Sequence, residues 1–409
     1  MANQIKTLRL NPFLPPADTF PQTSAQEDWL FRLMMFFQQA AAWPAWKTAG
    51  SLLAGAGLTF SLWQMAAPGT GAAAALGLLV FALADWLLLA WLPRAGRSYG
   101  PVAPQLMIML IPRLLVAGGG ATLAHLAGPA WGLMAFIGLE LAGSLAYVWG
   151  LAVEPQRLSL NEIRLTSPHL PAGAKPIRLL HLSDLHLERL TRREERLLEL
   201  VEAARPDLIA ITGDYLNASY RRDPEAISQV RQLLSRLKAP YGVYAVLGTP
   251  VIDVEDVAPH HFNGSGIRLL RRDVLDLDLG QGRRLSLLGL DCSHDPPQDE
   301  RALGQLARVT LEDAPRVLLY HSPELMPVAP RNGVDLYLCG HTHGGQVRLP
   351  GYGALFTSAT TGKRYEMGRY DEGGTTLYVS RGLGLEGFSM PRLRLFCPPE
   401  ITLVTIERR

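Results

Sequence analysis

Cysteine is scarce: Cys292, Cys339 and Cys397 are the three in 409 residues, and none stands in a Cys-x-x-Cys pair. That sparse, odd set excludes a disulfide framework and a thiolate zinc site, and it suits a reducing compartment. A strong charge of either sign is also missing. The net charge is +2 and no basic stripe runs along the chain, so no nucleic-acid partner is expected. Charge is missing locally as well. Residues 48–153 carry very few ionisable side chains, whereas 154–409 have the composition of an ordinary soluble domain. This shift predicts three regions: an N-terminal segment 1–47, a membrane domain 48–153 and a catalytic domain 154–409.

Within the poorly charged region, segments 48–67, 69–93, 104–127 and 130–153 are each long enough to cross a bilayer, which takes about 20 apolar residues. The turns at 68–70 and 128–129 are uncharged. Lys6, Arg9, Arg32 and Lys47 precede the first segment, Arg94 and Arg97 follow the second, and Arg157 and Arg164 follow the fourth. Positive flanks on one side place both termini, and the domain that follows, in the cytoplasm, on a multi-pass protein of the inner membrane. Trp43, Trp46, Trp91 and Trp149 stand near segment ends, as an interfacial belt would have them. The apolar region begins too late, and repeats too often, for a cleaved signal peptide. Before it, Trp29, Leu30, Leu33, Met34 and Phe37 recur at helical spacing, suiting an interfacial helix or one packed on the first span. The first 25 residues, with Pro12, Pro15, Pro16 and Pro21, read as an irregular tail.

Three ionisable residues interrupt the apolar segments: Asp85, Arg113 and Glu140. Counted at 1.5 Å per residue, Asp85 and Arg113 lie about 13–15 Å from the inner face, and Glu140 at a similar depth. A lone charge there costs about 2.5–3.5 kcal/mol. Arg113 is therefore expected to pair with Asp85 or Glu140, as a clasp between helices rather than a transport path.

From Pro176 onward apolar runs alternate with amphipathic stretches. Strands are expected at 177–182, 208–212, 242–247, 267–270, 284–290, 316–320, 336–339, 376–380 and 401–406, and helices at 192–204 and 225–237. Strand–helix–strand order implies right-handed parallel units, with a second sheet packed on the first. Active residues should gather at the carboxyl ends of such strands. Four strand ends deliver them: Ser183-Asp184-Leu185-His186, Gly213-Asp214, His321, and Gly340-His341-Thr342-His343.

Aspartate and histidine together suit borderline divalent ions such as Mn²⁺, Fe²⁺ and Zn²⁺. Two such ions about 3.5–4 Å apart can clamp a phosphoryl oxygen for in-line attack. A lone Asp-x-His is usually a surface loop, and a Gly-Asp after a strand is usually a turn. The ordered set of four carries the signal.

That set resembles the calcineurin-like metallophosphoesterases. The wording of His181-Leu182-Ser183-Asp184-Leu185-His186-Leu187, of Gly340-His341-Thr342-His343-Gly344-Gly345-Gln346-Val347 and of Ser380-Arg381-Gly382-Leu383-Gly384 is similar to the bacterial YkuE-type branch, whose members often carry N-terminal membrane spans. The resemblance runs from about Glu154 to Ile406. It implies a four-layer αββα sandwich. It also implies that Asp184, His186 and His343 hold one metal, that Asp214 bridges, and that His321 and His341 hold the second. Asp214, His341 and His343 would then carry the catalysis, and Asn217 would support the ligands.

One motif departs from the family. Where Gly-Asn-His-Asp or Gly-Asn-His-Glu is expected, the chain reads Gly248-Thr249-Pro250-Val251. The family's Asn is a metal ligand and its His assists the leaving group. Thr249 offers only a weak hydroxyl, and Pro250 has no acid–base chemistry. Asp253, Glu255, Asp256, His260 or His261 could substitute, or they could simply be a solvated helix start. The expectation is a membrane-anchored hydrolase of phosphoester or pyrophosphate bonds, with a lipid-linked substrate favoured by the tether. The alternative is a metal- or ligand-binding pseudoenzyme acting as a membrane sensor.

Overall fold

The computed structural model describes residues 32, 36–387 and 390–409. The proline tail and most of the amphipathic stretch at Trp29–Phe37 lie outside the described residues. The chain divides into two compact units, one running to Trp149 with Gly387–Arg392, the other comprising Gly150–Glu386 and Leu393–Arg409.

Among the described residues the first unit contains four long helices: α1 (Ala45–Ala66), α2 (Gly71–Trp91), α3 (Val102–Ala127) and α4 (Pro129–Val148). All four expected segments are therefore helical. Among the described residues three helices are long and apolar enough to cross a membrane, the last extending in looser turns to Gln156. Helix α1 is not one of them, because Lys47, Thr48, Ser51, Thr59, Ser61 and Gln64 dilute its apolar content. Small side chains let the helices approach closely, with Ala56, Ala74, Ala117, Ala121 and Ala124 packed around Trp63, Leu78 and Phe136. The Trp63 indole N–H donates to the Ala117 carbonyl at 2.9 Å. Arg113 pairs with both carboxylates, leaving Glu140 Oε1 without a partner. Its Nε and Nη2 donate to Asp85 at 2.8 and 2.7 Å, Nη1 donates to Glu140, and Nη2 reaches Ser144 Oγ at 3.3 Å.

The second unit contains, in chain order, β1 (Ser159–Ser167), β2 (Ile177–Leu182), α5 (Arg192–Ala204), β3 (Leu208–Ile211), α6 (Pro224–Arg236), β4 (Val243–Ala245), β5 (Arg268–Leu269), β6 (Asp273–Asp278), β7 (Arg284–Gly289), α7 (Pro296–Ala307), β8 (Arg316–Leu319), β9 (Leu336–Cys339), β10 (Arg348–Leu349), β11 (Gly353–Ala354), β12 (Gly368–Glu372), β13 (Thr375–Val379) and β14 (Glu400–Arg408). One sheet has the order β1-β14-β2-β3-β4-β5 and the other β12-β13-β9-β8-β7-β6, while β10 and β11 form a separate hairpin. The runs β2-β3-β4-β5 and β7-β8-β9-β13 are parallel, so their carboxyl ends gather on one side of each sheet.

Alternation along the strands builds the layers. Leu179, Leu208, Ala210 and Val404 of one sheet meet Leu287, Val317, Leu319 and Leu336 of the other in a shared core. The opposite face of the second sheet presents Leu288, Leu318, Tyr337 and Leu377 to Leu303 and Leu306 of α7. On the outward face of the first sheet, Leu180, Leu182, Ile209 and Ile211 are fully buried, as are the apolar stripes of α5 and α6 (Leu197, Val230, Leu234). This is the expected four-layer αββα sandwich. Local signals start its helices. Thr191 and Glu194 form a reciprocal capping box at α5, and Asp223 accepts from Ala226 N at 2.8 Å ahead of Pro224 at α6.

Candidate metal centre

The loops after β2, β3, β8 and β9 bring six side chains into two groups: Asp184, His186 and His343, and Asp214, His321 and His341. Each residue offers one ligand atom, and within each group these atoms lie within 4.8 Å of one another. Asp214 sits between the groups. Its Oδ2 is 3.1 Å from His321 Nε2 and 3.6 Å from His186 Nε2.

The backbone is bent to achieve this. Asp184, His186, Asp214, His341 and His343 all have positive φ, between 38° and 69°. Residues other than glycine seldom adopt that region, and such outliers gather at functional sites. Hydrogen bonds between loops hold the conformation: Asp184 N donates to Gly213 O, His186 N to Asp214 O and Gly340 N to His321 O, at 2.8–3.0 Å. The His341 amide donates to both oxygens of Asp184, at 3.1 and 3.2 Å. At two positions only glycine fits. A Cβ on Gly340 would strike the Asp184 carboxylate, and one on Gly248 would strike Asp214 Oδ1.

The tautomers set by hydrogen bonding decide what the cluster can hold. His321 Nδ1 lies 2.6 Å from the Thr212 carbonyl, so it carries the proton. Its Nε2 faces the Asp214 carboxylate at 3.1 Å, a contact that a second proton or a cation must reconcile. His186 Nδ1 lies 2.9 Å from Glu386 Oε2, and its Nε2 faces His343 Nε2 at 3.0 Å and Asp184 Oδ1 at 3.8 Å. Imidazole and carboxylate lone pairs converging in a buried space repel one another unless a cation stands among them. An imidazole whose second nitrogen donates to a carboxylate or carbonyl is the usual arrangement of a metal ligand. The residues present therefore fit two divalent cations.

Proton affinities record the same conflict. Burial raises Asp184, whereas Asp214 is held below the usual carboxylate range because His321 and then His186 and His341 outweigh its burial. His321 is pushed up to about 10 despite burial, by Asp214 and then Asp184. Burial, then the neighbouring His294 and His321, lowers His341 to about 3, and burial with His186 lowers His343. Groups driven in opposite directions within a few ångströms are using protons where cations would serve.

Thr249 occupies the rim of the second group. Its amide donates to Asp214 Oδ1 at 2.7 Å, and its hydroxyl is 3.4 Å from Asp214 Oδ2 and 3.5 Å from His341 Nδ1. The acidic and histidine cluster that follows does not join the site. Asp253 accepts from the amides of Asp214, Tyr215 and Gly248, and burial, then the charge of Asp214, pushes it up to about 7. Glu255 pairs with Arg271, Asp256 with Arg222, His261 packs beside Tyr215, and His260 is exposed.

The imidazole beside Thr249 comes from elsewhere. His294, in the loop after β7, places Nε2 at 3.4 Å from Thr249 Oγ1 and its ring 4.9 Å from that of His341. Ser293-His294-Asp295 resembles other loop residues, and only the alignment of β7 beside β8 in the sheet brings it here. Glu386 was also unforeseen, although it follows the quoted Ser380–Gly384 motif by two residues. Asn217 does not touch the cluster. Its Nδ2 donates to Leu385 O at 2.8 Å and so steadies the loop that presents Glu386.

Comparison with known proteins agrees with this geometry. The calcineurin-like phosphoesterase family matches residues 177–248, from the start of β2 to the glycine before Thr249. The metallophosphoesterase YkuE of Bacillus subtilis is 30% identical over 286 residues, which cover 67% of this chain and 96% of that protein. Phosphodiesterase YaeI of Escherichia coli is 30% identical over 248 residues, covering 57% of this chain and 83% of its own. The UDP-2,3-diacylglucosamine pyrophosphatase LpxG of Chlamydia muridarum is 24% identical over 314 residues, covering 64% and 92%. With the relatives matched almost end to end and the strand-end aspartates and histidines gathered as two ligand groups, the chain belongs to the calcineurin-like metallophosphoesterase family.

Proposed function

We propose that this chain is a membrane-anchored hydrolase of phosphodiester or pyrophosphate bonds that works with two divalent ions of the Mn²⁺, Fe²⁺ or Zn²⁺ class. The observation that carries the proposal is the convergence of four imidazoles and two buried aspartates, with no lysine or arginine among the six, into two groups whose ligand atoms lie within 4.8 Å of one another. Asp184, His186 and His343 would hold one ion, His321 and His341 the other, with Asp214 shared. Bound ions would supply Lewis acidity toward a phosphoryl oxygen. Among this chain's own groups, Glu386 and the Thr212 carbonyl fix the ligand rings. His294 stands where a substrate oxygen could accept a hydrogen bond from Nε2, a service Pro250 cannot give.

In this reading residues 1–47 lead into a membrane domain, 48–153, and 154–409 form the hydrolase domain on the cytoplasmic side of the inner membrane. Three helices of suitable length and composition support the anchor. A lipid-linked substrate is supported by that anchor and by a relative named for cleaving UDP-2,3-diacylglucosamine.

The test is Mn²⁺-dependent hydrolysis of bis-p-nitrophenyl phosphate by the full chain in detergent, with Asp214→Asn as control. Activity that falls to background in the control supports the hydrolase. Metal binding by calorimetry without turnover in either protein would move the assignment to a binding-only domain, the second reading favoured by Thr249-Pro250.

A further inference from the structure

Among the described residues between Gly150 and Arg409, the exposed large apolar side chains are Val153, Val309, Leu349, Tyr352, Leu355, Phe356 and Phe396. Five of these seven belong to one small surface. Leu349 and Tyr352 lie on the β10–β11 hairpin, and Leu355 and Phe356 follow it directly. Leu355 N donates to Val347 O at 3.1 Å. Val347 bridges Leu395, and Arg348 N donates to Leu395 O at 2.9 Å, which brings Phe396 alongside. An apolar cluster of this kind on an otherwise well-covered domain marks a contact surface.

Two features point to what it contacts. Phe396 has a φ of 55° and a ring 58% exposed, between half-buried Leu395 and fully buried Cys397. The backbone thus holds a strained conformation with a phenyl ring facing outward, where no packing within the domain rewards it. Beside the cluster, Arg348 and Lys363 share a single carboxylate, Glu366, at 2.9 and 2.8 Å, leaving one cation in excess. The Lys363 ammonium lies 4.0 Å from the centre of the Tyr352 ring. Leucine and aromatic rings at a turn, with the half-exposed Lys363 ammonium beside them, match the headgroup–acyl boundary of an anionic bilayer.

We infer that the β10–β11 hairpin with Phe396 docks onto the surface of a phospholipid bilayer. The inference rests on the membrane reading of α2, α3 and α4. A chain carrying such helices keeps a bilayer at high effective concentration, so a small apolar patch suffices. The surface is continuous with the metal centre. Gly345, two residues beyond His343, packs on Ala354, and the Cys397 thiol donates to the His343 carbonyl at 3.2 Å. Docking would set the rim of the site against lipid headgroups, the place from which a lipid-linked phosphodiester is reached.

The experiment uses the full chain in nanodiscs of phosphatidylcholine and phosphatidylglycerol. The three native cysteines are buried, so an environment-sensitive NBD label can be placed on Tyr352→Cys, with Val309→Cys as control. Doxyl lipid should quench the label at 352 by roughly half and leave the one at 309 unchanged. A label at 352 that stays unquenched in inserted protein overturns the proposal. So does protection that depends on protein concentration, which assigns the face to a second copy. Failure to enter nanodiscs removes the membrane reading and this inference with it, and it is seen at incorporation, before any quenching. As a second measurement, Leu355→Ser with Phe396→Ser should slow hydrolysis of a vesicle-embedded phosphodiester about tenfold and spare the soluble diester. Equal loss on both would count against docking.

Discussion

Two buried clusters of charged or chargeable side chains occupy the two units of this protein. In the helical unit, one guanidinium faces two carboxylates: Arg113 donates to Asp85 and Glu140, with Ser144 completing the set. In the sandwich, two aspartates face four histidines. The first cluster contains its own cation and lies on regular helices. The second has no lysine or arginine among its six residues, only His321, which Asp214 holds protonated despite burial, and five of the six have positive φ. A cluster that sets a permanent guanidinium against its carboxylates has its counter-charge built in, whereas one of carboxylates and imidazoles can exchange its protons for metal ions. Burial alone therefore does not distinguish a structural clasp from a reaction centre, and the balance of donors does.

The largest effect expected from this difference lies at the rim of the open cluster. His294→Gln should lower kcat toward a diester with an alkyl leaving group by about 10²-fold. Loss toward a nitrophenyl leaving group, which needs less help, should be smaller, and the thermal midpoint should hardly move. Equal losses on both substrates would assign His294 to positioning Thr249 and His341 instead. In the closed cluster the consequences should reverse. Arg113→Leu strands two carboxylates and should destabilise the chain in detergent by about 3–5 kcal/mol. Replacing Asp85, Arg113 and Glu140 together by leucine should recover most of that stability with hydrolysis of a soluble diester unchanged. A triple variant that stays as unstable as the single one would mean the bundle needs the polar groups for more than mutual satisfaction.

The open cluster was far more legible in the sequence than the features that tune it. Apolar runs ending in Ser183-Asp184-Leu185-His186 or Gly340-His341-Thr342-His343 announce both a central strand and the ligands beyond it, because buried parallel strands are apolar throughout and their carboxyl ends are where side chains meet. Edge strands send no such signal. Strand β6 reads Asp273-Val274-Leu275-Asp276-Leu277-Asp278, with Asp276 and Asp278 turned to solvent, and β1 and β12 likewise alternate exposed and covered residues. Helix α7 opens with Pro296-Pro297 and looks like a loop until Asp295 is seen to cap it. His294 and Glu386 reach the ligands only through the sheet order and the loop that Asn217 steadies, which no local pattern records. In the helical unit the depth of Asp85, Arg113 and Glu140 predicted one partner for Arg113, and the guanidinium has enough donors for both.

Protons sharpen the contrast by the smallest but most diagnostic amount. In the metal-free sandwich His321 is held up to about 10 by Asp214 and Asp184, against a reference of 6.5. A histidine whose folded value is raised contributes stability that is complete below about 6.5 and is lost as pH rises toward 10. Metal-free protein should therefore lose stability between pH 6.5 and 8.5. A cation that displaces this proton binds about tenfold more tightly for each pH unit gained in that window. At fixed subsaturating Mn²⁺, the gain in thermal midpoint over an EDTA-treated sample should then be larger at pH 8.5 than at pH 6.5, by about 2–4 °C for each kcal/mol of added linkage. The comparison calls for scanning calorimetry of the full chain in detergent at both pH values. The helical unit holds none of the six candidate ligands, so it adds no metal-dependent change of its own. A gain that is the same at both pH values would mean His321 gives up no proton on metal binding, and it would have to be removed from the ligand set.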